Sequence, residues 1–198
     1  MIQVVLYEPE IPPNTGNIGR LCVGFKVPLV LIEPLGFSLA DKALKRAGLD
    51  YWDKLDYKVY PKLAAYFNAI GYISSDLSSS DLSSSDLSSS DLSSSNLSSS
   101  DLSSSNLSRL HAKHTTHNRV ICLSKYGTRS LYEWQFSAGD TLLFGNEISG
   151  IPLKVTQKYS IERFKLPMAA AIRSYNLANA VAMALGEAYR QLKWPLIA

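Results

Sequence analysis

Apolar residues in this chain come in short unbroken runs separated by polar, helix-patterned stretches. Residues 1–7 (MIQVVLY) alternate little and are rich in Val, Ile and Leu, which predicts a strand buried on both faces, as in a parallel sheet. A proline-bearing loop, EPEIPPN, follows. Asn14 or Thr15 is placed to cap a helix to Phe25, with Ile18, Leu21, Cys22 and Phe25 on one face. Residues 27–33 read as a second buried strand and 40–48 as a helix closed by Gly48. Residues 58–60 predict a short strand, after which Pro61 opens a helix to about Ala69. Residues 119–123 (RVICL) and 141–144 (TLLF) look like central strands, 161–166 like the last strand, and 176–192 like a long alanine-rich helix. Strands alternating with helices predict an α/β fold, a parallel sheet with helices on both faces. Its ligand site belongs where loops leave the carboxyl ends of the strands.

Residues 75–109 interrupt this rhythm with seven near-identical pentads of the form S-[D/N]-L-S-S. Such pentads resemble the unit of four-sided pentapeptide solenoids, but seven give fewer than two coils and bury little core. The expectation is a Ser-rich, acidic insert that is disordered or marginally ordered. The chain is accordingly read as a single domain over 1–198 carrying an insert at 74–118. Residues 74–108 hold five Asp and no Lys or Arg, so the whole-chain net charge of +3 conceals a markedly basic body. The other 163 residues carry 20 basic and 12 acidic side chains, a net charge of +8. A basic body suits a polyanionic partner such as nucleic acid.

Cys22 and Cys122 each sit in an apolar run, where a small thiol packs as core rather than in a disulfide or metal site. His111, His114 and His117 recur at spacings of three, but no carboxylate or thiol joins them at matching spacing, so the expectation is a polar linker and no metal. The absence of a leader-like segment or a run of membrane-spanning length predicts a cytoplasmic protein with no membrane partner.

Three loops after expected strands are too specific to be simple connectors. NTGNIGR (14–20) lacks GxGxxG spacing, which argues against a nicotinamide cofactor, and it offers Asn14 and Arg20 near a helix start. FGNEISGIP (144–152) supplies Gly145 and Gly150 for close backbone approach, with the Glu147 carboxylate between them. LPMAAAIRSYNLANA (166–180) places Arg173, Ser174 and Asn176 at the start of the last helix, and either Ser174 or Asn176 could cap it.

In this order, LYEPEIPPNTGNIGRLC, LLFGNEISGIP, and LPM followed by RSYNLANAV resemble the SPOUT (SpoU–TrmD) class of RNA 2′-O-methyltransferases. Within that class the chain is most similar to the family that methylates the ribose of the wobble cytidine or uridine, nucleotide 34, of tRNA. The resemblance implies a C-terminal trefoil knot, a homodimer, and S-adenosyl-L-methionine bound by Leu123, Gly145, Leu166, Met168 and Ser174. It further implies a tRNA anticodon loop as substrate and Arg20 as the activating residue, with Asn14, Glu147 and Asn176 orienting the participants. A guanidinium stays protonated in proteins, so Arg20 suits stabilisation of a developing alkoxide or a phosphate better than proton abstraction. The alternatives are another tRNA or rRNA position, or an RNA-binding relative without catalysis. Gly19 stands where such sequences commonly have a bulky aliphatic residue, Asn146 where they have proline, and AAAIRS replaces a more polar approach to the third motif.

Overall fold

The computed structural model describes residues 2–39, 51–72 and 119–193, all within the unit formed by 1–75 and 118–198. The helix expected at 40–48, the insert at 74–118 with its pentads, and all three histidines lie outside the described residues.

Seven strands and four α-helices run in the order β1 (Gln3–Tyr7), α1 (Pro12–Phe25), β2 (Leu29–Ile32), β3 (Tyr57–Tyr60), α2 (Leu63–Ala69), β4 (Val120–Leu123), β5 (Arg129–Ser130), β6 (Thr141–Phe144), α3 (Leu153–Lys158), β7 (Glu162–Lys165) and α4 (Leu177–Leu192) among the described residues. The strands form one sheet of order β3-β2-β1-β6-β4-β7-β5, and every pairing is parallel. The fold is therefore the expected α/β arrangement.

Alternation along the strands divides the core in two. Val4, Leu6, Leu142, Phe144 and Phe164 face α1 and α4, where Ile18, Cys22, Val181 and Leu185 are fully buried. Val5, Val30, Cys122 and Leu143 face the other way, against Tyr66 and Phe67 of α2 and Val155 of α3. Helices thus cover both faces, and each buried Leu, Val or Phe contributes about 1.5–3 kcal/mol.

Two helix starts differ from expectation. α1 begins at Pro12, before the cap expected at Asn14 or Thr15, and both of those residues are buried inside its first turn. Pro12 and Pro13 explain the shift: the first helical positions need no N–H partner, and a proline ring presets the helical φ. α2 begins at Leu63, two residues after Pro61. The sequence pattern misses β5 and α3 because they are two and six residues long. β5 is anchored by pairing to Phe164 and Lys165, and Ser130 and Glu133 close a capping box on the 3₁₀ turn that follows it.

The two ends of the sheet are built differently. Below its amino end, buried Asp140 accepts from Arg119 Nε at 2.7 Å and Nη2 at 2.6 Å, from Trp134 Nε1 at 2.9 Å and from Ser137 N at 2.9 Å. Those bonds tie the starts of β4 and β6 together. At the carboxyl end, β1 leads outward to β2 and β3, whereas β6 leads back across β4 to β7. Crossovers diverge between β1 and β6, which leaves a crevice at that junction.

Candidate active site

The loops leaving β1, β4, β6 and β7 enclose a cavity of about 440 Å³ at that crevice. Asn14, Leu123, Gly145, Glu147, Leu166, Met168, Ser174 and Asn176 all line it, so three separate sequence motifs converge on one space. Arg20 is not among the lining residues. Ile11, inside the first motif run, and the stretch 124–126, outside all three, also line the cavity, and neither stands out in the sequence.

Gly145 makes the wall between β6 and α3 possible. A Cβ there would lie 2.3 Å from the carbonyl carbon of Gly150 and 2.4 Å from Ile151 N, so only glycine lets the loop double back. Asn146 then pins the return. Its Oδ1 accepts from Ile148 N at 3.2 Å, Ser149 N at 2.7 Å, Gly150 N at 3.2 Å and Ser149 Oγ at 3.0 Å. A proline at this position has no side-chain acceptor and could not close the loop in this way.

Glu147, carried on that loop, reaches the start of α1. Its Oε2 accepts from Glu10 N at 3.0 Å, and its Oε1 accepts from Ile11 N at 3.3 Å and from Asn14 Nδ2 at 2.9 Å. α1 has no side-chain cap of its own, so a carboxylate 136 residues away serves donors at its positive end. The polarity of the next bonds follows from that. A carboxylate only accepts, so Asn14 must turn its amide NH₂ toward Glu147 and its carbonyl away. Asn14 Oδ1 accepts from Asn176 Nδ2 at 2.9 Å, and Asn176 Oδ1 accepts from Ala178 N at 2.9 Å and Asn179 N at 3.4 Å, capping α4. Of the two caps weighed for this helix, Asn176 is the one used. One hydrogen-bonded chain of fixed direction therefore joins the three motif loops.

Neither cysteine fits a role as nucleophile. Burial pushes the thiols of Cys22 and Cys122 up to about 12, which keeps them protonated. Among the described residues no group of three His, Cys, Asp or Glu converges, and no helix is long and apolar enough to cross a membrane.

The model of the SpoU rRNA Methylase family matches residues 1–96 and 89–186, two stretches that meet inside the pentad run. This chain belongs to the SpoU methylase family. Among similar proteins of the family, the tRNA (cytidine(34)-2′-O)-methyltransferase of Aeromonas hydrophila is 36% identical over 193 residues, 97% of this chain and 95% of the relative. The protein of that name from Escherichia coli K12 is 34% identical over 196 residues, 98% of this chain and 96% of its own. A solved structure described as giving insights into the 2-OH methylation of C/U34 on tRNA superposes with a TM-score of 0.72 at 36% identity, covering 98% of each chain. The SpoU methyltransferase AviRb of Streptomyces viridochromogenes, solved with AdoMet, shares the fold at a TM-score of 0.69 and 18% identity.

Two neighbouring residues of α1, Gly19 and Arg20, meet the segment before β3. Gly19 leaves room that Leu55 and Trp52 fill: a Cβ would come within 3.1 Å of Leu55 Cδ2 and 3.3 Å of the Trp52 ring. The segment before β3 thus packs directly against the α1 backbone at Gly19. Arg20, exposed on the next position, lays its guanidinium carbon 4.9 Å from the Tyr51 ring centroid.

Proposed function

We propose that this chain transfers a methyl group from S-adenosyl-L-methionine to the ribose 2′-oxygen of nucleotide 34 in tRNA, a wobble cytidine or modified uridine. The observation that carries the reading is the convergence of Asn14, Glu147 and Asn176 on a cavity also walled by Leu123, Gly145, Leu166, Met168 and Ser174. The relatives named for cytidine-34 2′-O-methylation, which match along nearly their whole length, support this substrate.

The residues present fit the cofactor. The volume lies in the ordinary range for small-molecule sites, and Leu123, Phe144, Ile151 and Leu166 give apolar walls suited to an adenine ring. When bound, S-adenosyl-L-methionine supplies an electrophilic methyl group on a sulfonium. The chain's part is to orient a ribose hydroxyl and help its proton depart. Asn14 and Asn176, their amides locked by Glu147, hold the rim rigid for that purpose. Arg20, lying outside the cavity lining, is assigned to the RNA rather than the cofactor. Its permanent charge stabilises the developing alkoxide or fixes the adjoining phosphate.

The reading includes a trefoil knot in the C-terminal part, supported by the out-of-sequence strand order β6-β4-β7-β5. The close pass of Gly127 against Phe164, where a Cβ would sit 2.4 Å from the carbonyl carbon, points the same way. It also includes a homodimer, for which the exposed Ile148, Leu153 and Ile172 offer apolar surface, and cytoplasmic work on the tRNA anticodon loop.

Incubation of the purified protein with methyl-labelled cofactor and bulk tRNA tests the reaction. Label recovered after nuclease digestion as a 2′-O-methylnucleoside is expected. Label on a base, or tRNA binding with no label, would remove the proposal.

A further inference from the structure

The loop between β4 and β5 brings to the cavity mouth two residues that no motif includes. Lys125 and Tyr126 both line the cavity, and Tyr126 is 67% exposed, its ring standing largely in solvent. The Lys125 ammonium lies 5.1 Å from the ring centroid, so a cation and an aromatic face are presented together. The backbone beneath them is fixed. Tyr126 N donates to Ser124 Oγ at 3.2 Å and Gly127 N to Ser124 O at 3.0 Å, while Gly127 packs against the backbone of Phe164 with no room for a side chain.

Leu123, Phe144, Ile151 and Leu166 supply the apolar walls an adenine needs without calling on this ring. Single-stranded RNA is recognised by stacking unstacked bases on aromatic side chains while cations meet the phosphates. Anticodon-loop bases are of this kind.

We propose that Tyr126 is a stacking platform for a nucleobase of the RNA substrate and that Lys125 meets a phosphate beside it. This rests on the RNA methylation reading above and adds a substrate-recognition element to it. Lys125 occupies one face of the ring and leaves the base the other.

The test compares full-length wild type with Tyr126→Ala, Tyr126→Trp and Lys125→Gln, measuring the Kd for bulk tRNA, the Kd for S-adenosylhomocysteine and methyl transfer. Tyr126→Ala should weaken tRNA binding roughly 10-fold or more, as loss of a base stack does, while Tyr126→Trp retains it. Lys125→Gln should reduce the salt dependence of tRNA binding. S-adenosylhomocysteine affinity should stay within about twofold in all three, which also reports that the site is folded. An unchanged tRNA Kd in Tyr126→Ala, or a weakened S-adenosylhomocysteine Kd, would overturn the proposal. Failure of the methylation reading is separately visible, as wild type that binds tRNA but transfers no methyl group.

Discussion

Glu147 shows how one carboxylate can fix the direction of hydrogen bonds across three loops. It accepts from two backbone donors at the start of α1 and from Asn14, and through Asn14 it fixes the direction of Asn176. Glu147→Gln turns an NH₂ toward these donors and should cost about 1–3 kcal/mol of stability, read as a lower urea midpoint. Asn14→Asp puts a second carboxylate 2.9 Å-close to the first, so one of the pair must take up a proton. The protonated form can donate to Glu147 and accept from Asn176 as the asparagine does. Methyl transfer by Asn14→Asp should therefore recover as pH falls, opposite to the trend expected if both carboxylates worked ionised. Gly19 carries a different lesson, since its missing side chain is replaced by Trp52 and Leu55. Gly19→Leu should overpack that contact, lowering stability by about 1–3 kcal/mol and shifting tryptophan fluorescence as Trp52 is displaced.

The loop from Gly145 to Ile151 converts a sequence motif into a wall. Asn146→Ala removes an acceptor shared by three backbone N–H groups and the Ser149 hydroxyl, and should weaken S-adenosylhomocysteine binding by calorimetry. Asn146→Asp, which keeps the acceptor, should largely restore it, whereas equal losses in both variants would show that the carbonyl is not what matters. Long apolar runs were legible as elements: β1, β2, β4, β6, β7 and α4 fall where the pattern places them, within a residue or two. Other features were not. The α1 start is set by proline conformation, β5 and α3 are too short to show a pattern, and the Glu147 cap depends on a contact spanning more than a hundred residues.

Across the whole molecule, the sheet order and the meeting of motif loops follow from packing on both faces, which composition alone does not reveal. The three motif loops were legible because each follows a strand, whereas Leu123, Gly145, Leu166, Met168 and Ser174 are indicated as cofactor contacts only by the family resemblance. Lys125 and Tyr126 were not legible, since only the fold brings them to the mouth. Buried thiols give the body a specific response to alkali. In the folded chain both are held at about 12, above the ordinary value of 9.0, so folding favours their protonated form. That contribution is fully present below pH 9 and is lost as pH rises toward 12. Melting temperature should fall across this window, and less steeply in a Cys22→Ala, Cys122→Ala double variant. The family match breaks into two stretches inside the pentad run, and deletion of 75–108 should leave methyl transfer largely intact.

The central claim is the position and chemistry of one methyl group. A 2′-O-methyl removes the hydroxyl that cleaves the adjoining phosphodiester in alkali, so end-labelled tRNA treated with enzyme and cofactor and then hydrolysed should show a single missing band after nucleotide 34. An unbroken ladder at that position, with methyl label present elsewhere in the tRNA, would contradict the account.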